Sequence, residues 1–196
     1  MAKKLTKIIS NWVPSKSKVI DFGCGDGSLL EELIKEKNVF GYGVEINDHK
    51  IESCVAKGIS VIKQDIDKGM NEFGDSNFDL SIMARSIQCL KNPDLALNRM
   101  LNLSSRCIVT LPNLGYWKCR IDLLSGKMPV TPYLPSSWYE TENIHLCTIS
   151  DFENLCKKEG INIKDKVYMD SKGMPSSIKS FAPNLLATEG VYLLEK

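Results

Sequence analysis

Apolar residues recur along this chain in two periods. Leu5, Ile8, Ile9 and Trp12 fall three or four apart and predict a helix over residues 3 to 12, stopped by Pro14. Val19 to Phe22 is a short, β-branched apolar run, the pattern of a parallel strand buried on both faces. From Asp26 the helical period returns, with apolar residues at 29, 30, 33 and 34. Gly41 to Ile46 and Ser60 to Lys63 predict the second and third strands, separated by a helix that Asn47 caps and Gly58 closes. Asn77 to Ala84 alternates before turning apolar, as a fourth strand would. Asn92 or Pro93 then opens a helix to about Leu103, and Cys107 to Leu111 is a fifth strand. Further on, Ser150 caps a helix over Asp151 to Lys158, with Gly160 past its end. Ile161 to Met169 reads as a sixth strand, residues 170 to 186 as a Ser-, Lys- and Pro-rich loop, and Gly190 to Leu194 as a last apolar strand. Strands and helices alternating at this spacing mean an α/β fold with a doubly wound, mainly parallel sheet. Ligands of such sheets sit at the carboxyl ends of the strands.

The first strand runs into Asp21-Phe-Gly-Cys-Gly-Asp-Gly27. Gly23, Gly25 and Gly27 remove three Cβ atoms where the chain turns sharply and a ligand can approach the backbone. A strand, a glycine turn and a helix start should present free N–H groups and a positive dipole end to a negative group. A dinucleotide fingerprint needs Gly or Ala directly after Gly27, where this chain has Ser28. Asp21 would also oppose a pyrophosphate. A ligand carrying one carboxylate and one ammonium satisfies both halves, the carboxylate at the turn and the ammonium near Asp21, and the methionine end of S-adenosylmethionine is such a group. Glu45, 22 residues after Gly23, stands near the offset of about 20 at which an acid meets ribose hydroxyls. Asp21, Glu45, Asp65 and Ser86 all fall at predicted strand ends.

Composition narrows the picture. At 196 residues the chain is expected to be a single domain, large enough to bury roughly 70 % of its unfolded surface. Twenty-five basic against twenty-four acidic residues leave no field that would draw in nucleic acid or an anionic membrane. Seven cysteines without a Cys-x-x-Cys argue for reduced, mostly buried thiols and for no metal site. With no long apolar run, a cytoplasmic protein is the expectation.

Residues 112 to 148 break the alternation. They carry four prolines, the rings of Tyr116, Trp117, Tyr133, Trp138 and Tyr139, and His145. Connections above about 15 residues are uncommon and tend to be functional. An aromatic-rich insertion could cover the strand-end cleft, exclude water and hold an acceptor; it could equally pack as a satellite core. His145 is a candidate base, although a lone histidine is more often a structural hydrogen-bonder.

The stretch Asp21-x-Gly23-x-Gly25-x-Gly27 closely resembles motif I of the class I methyltransferases. Gly41-Tyr-Gly-Val-Glu-Ile, Val61-Ile-Lys-Gln-Asp-Ile-Asp, Leu111-Pro-Asn-Leu-Gly-Tyr-Trp, Met128-Pro-Val-Thr and Asn143-Ile-His-Leu-Cys-Thr-Ile-Ser-Asp-Phe sharpen the match. Together they resemble the methionine-biosynthesis MetW family over essentially the whole chain. The resemblance implies a Rossmann-like, seven-stranded sheet whose last strand enters antiparallel beside the fifth. It implies S-adenosylmethionine as cofactor, with S-adenosylhomocysteine as the product of any transfer. It places Asp65 at the adenine amino group, with Ile46 and Ile66 beside Glu45 and Asp65, and Arg85 and Ser86 along the sulfonium. Tyr116 stands where histidine is expected in much of the family, and joins His145 as a candidate catalytic residue. Two functions follow from the resemblance: a small-molecule methyltransferase, or a cofactor-sensing partner of a homoserine O-acyltransferase.

Overall fold

A computed structural model describes residues 2–69, 73, 78–175 and 181–196. Its seven strands form one sheet in the order β3-β2-β1-β4-β5-β7-β6. Helix α1 (Ala2–Trp12) leads into β1 (Lys18–Phe22), and α2 (Ser28–Lys37) returns the chain to β2 (Phe40–Glu45). Then come α3 (Asp48–Ala56), β3 (Ser60–Lys63), β4 (Leu80–Ala84), α4 (Pro93–Leu103) and β5 (Arg106–Pro112). The long segment holds α5 (Trp117–Leu124); α6 (Ile149–Lys158), β6 (Asn162–Met169), α7 (Pro183–Leu186) and β7 (Glu189–Glu195) complete the chain. β1 to β5 pair in parallel, and β7 enters antiparallel between β5 and β6.

The apolar runs are continuous because both faces of the sheet are covered. On one face Ile20, Met83, Val109 and Tyr192 pack with α4 and α6 residues such as Leu97 and Phe152. On the other, Val19, Ile82, Ile108 and Val191 pack with Ile9, Leu30 and Leu33 of α1 and α2. The central strands β1, β4, β5 and β7 thus alternate their side chains between two cores. All seven cysteines are free, and Cys24, Cys54, Cys107, Cys119 and Cys156 are buried. No helix among the described residues is long and apolar enough to cross a membrane.

Several boundaries differ from the expectations, for local reasons. Asn77 lies outside the described residues, and β4 begins at Leu80; Phe78 makes only an isolated bridge to Ser104. Thr148, not Ser150, caps α6. Its hydroxyl accepts from Asp151 N–H at 3.2 Å while Asp151 accepts from Thr148 N–H at 2.9 Å, a reciprocal capping box. The expected 170–186 loop contains α7, a four-residue turn. α5 escaped the pattern because Cys119 is its only buried residue, so no apolar stripe faces a core.

Candidate functional site

β1 ends at Phe22, and the next five residues reverse direction with Gly23, Gly25 and Gly27 all at positive φ (75, 59 and 76°). A Cβ on Gly23 would lie 2.8 Å from the Ser86 Cβ, and one on Gly27 3.0 Å from the Cys54 sulfur. Those two glycines permit close packing. A Cβ on Gly25 would meet nothing within 4 Å, so Gly25 faces open space.

The turn's N–H groups are not free, contrary to the expectation from sequence. Gly23 and Cys24 N–H both donate to the Val44 carbonyl, and Gly27 N–H donates to that of Cys24. Gly25 N–H donates to Glu45 Oε2 at 2.9 Å and Ser28 N–H to Asp26 Oδ1 at 3.2 Å. Within the turn, Asp26 N–H alone is left without an acceptor among the described residues. The turn folds back on itself because a compact loop must satisfy its own donors. On its outer rim Lys57 Nζ lies 2.7 Å from Asp26 Oδ2 and donates to Ser28 Oγ at 2.8 Å. That pairing holds the Asp26 carboxyl down at about 2.

Glu45 is buried at the end of β2. Its other carboxylate oxygen accepts from Ile46 and Asn47 N–H at 2.9 and 3.0 Å. A carboxylate offers about four lone-pair positions, so three backbone donors leave one for an outside hydroxyl. Asp21 is 1 % exposed, and its Oδ1 has no hydrogen-bond partner. Burial, reinforced by the nearby Glu45 charge, raises its pKa to about 7. A buried acceptor without a partner is rare, and this one stands two residues before the first glycine of the turn.

Above these strand ends lies a cleft of about 350 Å³. The β1 and β2 ends contribute Gly23, Glu45 and Ile46, the β3 end Asp65 and Ile66, and the β4 end Arg85 and Ser86. Asp65 caps a 3-10 turn by accepting from Asp67 N–H at 3.1 Å. Asp67 in turn accepts from Lys91 N–H at 2.9 Å, joining the β3 and β4 walls. Ser86 spends its hydroxyl on the Phe22 carbonyl at 2.9 Å. Arg85 has a left-handed backbone (φ 61°), and its guanidinium forks onto Glu189 at 2.6 and 3.0 Å. The Tyr133 ring lies against that guanidinium, 5.0 Å away.

Seven of the expected site residues therefore share one cleft; the buried Asp21, Gly25 and Gly27 are not among its lining. The two candidate catalytic residues do not line it. His145 is exposed, with its N–H on the Gln88 carbonyl and ring Nε2 3.2 Å from the Lys91 carbonyl. Tyr116 precedes α5 and its ring meets that of Trp117 at a tilt of 59°, centroids 5.6 Å apart. Glu142 is the residue of the 112–148 segment that reaches the cleft.

Sequence reasoning passed over Glu189 and Asn113. Glu189 is fully buried but precedes an apolar strand like any solvated acid. Asn113 clamps the segment's ends. Its amide donates to the Asn184 and Ala187 carbonyls, and its oxygen accepts from Gly115 and Ile149 N–H. The Pro-Asn pair at the end of β5 was the available signal.

The solved structure of a SAM-dependent methyltransferase from Archaeoglobus fulgidus superposes with a TM-score of 0.71 at 15 % identity, covering 100 % of this chain and 95 % of that one. An S-adenosylmethionine-dependent methyltransferase from Mesorhizobium loti gives 0.68 at 14 % identity, over 97 % and 96 %. At those identities the likeness establishes the fold. The bifunctional methionine biosynthesis protein MetXA/MetW of Rhodopirellula baltica is 29 % identical over 168 residues, 81 % of this chain but 27 % of that protein. The chain thus spans about a quarter of that relative's length. The family model for methionine biosynthesis protein MetW matches residues 3–194, and the chain belongs to that family.

Proposed function

We propose that this protein binds S-adenosylmethionine at the carboxyl edge of β1, β2 and β3 and passes its methyl group to a small molecule. One observation carries the reading: a buried, unpartnered Asp21 oxygen just before a turn whose Gly25 faces open space. That pair suits an amino-acid ammonium and its neighbouring atoms. A pyrophosphate would face Asp21 and Glu45 with no free cation in the turn.

In this reading Asp21 takes the ammonium, and Asp26 N–H takes the carboxylate. Glu45 accepts a single ribose hydroxyl with its remaining lone pair. Asp65 accepts from the adenine amino group, and Ile46 and Ile66 supply apolar walls. Arg85 and Ser86 are wall residues, since their side chains are engaged elsewhere. The bound sulfonium supplies an electrophilic methyl group, so the protein's task is to hold an acceptor in line and exclude water. A good nucleophile then needs no general base, which is consistent with the placement of His145 and Tyr116 away from the cleft. Incubation with methyl-labelled cofactor and a metabolite extract should yield a labelled small molecule. A cofactor-binding protein that labels nothing across such pools would overturn the transfer step.

A second reading is favoured by the Rhodopirellula relative, whose name joins MetXA and MetW as one bifunctional protein. Here the domain senses the cofactor and regulates a homoserine O-acyltransferase. Its contact surface would be residues 112–148, where Trp117, Ile121 and Leu124 are exposed at helical spacing on α5. Leu124→Glu should then abolish co-elution with the acyltransferase at micromolar concentration. No co-elution of the wild-type chain would exclude this version.

A further inference from the structure

A second cavity, of about 460 Å³, lies between α1 and the first turns of α2. Its floor is apolar, made by Leu5, Ile9, Leu29 and Ala84, and its rim carries Glu31, Glu32, Lys35 and Arg85. It borders the cofactor cleft, because Ala84 and Arg85 line both. That volume is within the range of small-molecule sites.

The charges on the rim decide what fits. Arg85 is forked onto the fully buried Glu189, and Lys35 is paired with Glu31 one helical turn before it. Both rim cations are therefore compensated. Glu32, partly buried on the same face of α2, has no hydrogen-bond or ion-pair partner among the described residues, so among them the uncompensated charge of the cavity is negative. A ligand carboxylate or phosphate would face Glu32 with no cation free to receive it. A neutral apolar ligand would strip water from Glu32 and return nothing.

We infer that this cavity is a site for a small organic ammonium ion with an apolar body, its head on Glu32 and its body on Leu5, Ile9 and Leu29. Its use as the methyl acceptor's seat rests on the function proposed above; the ammonium selectivity does not. Phenethylamine is a suitable probe, with 3-phenylpropanoate and 2-phenylethanol as its anionic and neutral counterparts. Calorimetric titration into the full chain should show saturable binding of phenethylamine, with both counterparts weaker. A part-exposed ion pair is modest, so Glu32→Gln should weaken phenethylamine by about three- to fivefold. Leu29→Trp, which fills the floor, should abolish it while S-adenosylhomocysteine still binds.

No saturable binding of phenethylamine, equal binding of the carboxylate, or an unchanged affinity in Glu32→Gln would each overturn the inference. Phenethylamine binding in a protein that ignores S-adenosylhomocysteine would uphold this site and defeat the methyltransferase reading. The two therefore fail separately.

Discussion

Asp21 is held on the central strand against its own electrostatic preference. Its carboxyl titrates near 7 in the folded protein and near 3.8 without the fold. Between those values the folded state keeps a proton that the unfolded chain has released. Stability on this account falls as pH rises from about 4 to about 7 and is level above. Asp21→Asn removes the penalty, so thermal melts should show the variant more stable than wild type at pH 8, by on the order of a few kcal/mol. The gain should shrink towards pH 5. Affinity for S-adenosylmethionine should move the other way and fall at least about tenfold, because an ammonium loses its counter-charge. A variant less stable at pH 8 would mean that Asp21 has a partner in the fold. Glu45 acts differently, since three backbone N–H groups depend on it. Glu45→Ala should cost about 1–3 kcal/mol both in cofactor affinity and in folding, read by calorimetry and by denaturant titration.

Among the elements, legibility followed burial. The β1 run could be read because Val19 and Ile20 enter opposite cores and Phe22 follows them, so that Asp21 alone interrupts the apolar pattern. The glycine turn could be read because φ values near 60–75° exclude most side chains. Its hydrogen bonding could not be read, because Gly25 N–H finds its acceptor in Glu45, 20 residues away, and spacing carries no such pairing. The same limit hid the Arg85–Glu189 fork, whose partners are 104 residues apart. The long segment from 112 to 148 was legible as an interruption only. Its tether is Asn113, which serves two carbonyls and two N–H groups. Asn113→Ala leaves several of these buried groups unpaired at about 1–3 kcal/mol each. It should lower the chemical-denaturation midpoint by more than any substitution of exposed Trp138 or Tyr139. An effect no larger than those would show that the segment is anchored elsewhere.

At the scale of the whole molecule, the sheet collects the chemistry at one edge. Asp21, Glu45, Asp65 and Arg85 come from four different strands or their ends, and only the parallel order β3-β2-β1-β4 makes them neighbours. A fold of this kind hosts many activities, so the decision between them lies in the turn. In the proposed function, a three-glycine turn next to a buried, unpaired acid grips an amino-acid zwitterion. Calorimetric titration of S-adenosylmethionine into the wild-type chain and into Gly25→Val at pH 8 tests it most directly. The expected result is saturable one-to-one binding that Gly25→Val abolishes, since valine fills the open space, while a thermal melt still shows a cooperative fold weakened by the strain of valine at a φ of 59°. Absence of binding in the wild type, or undiminished binding in Gly25→Val, would contradict it.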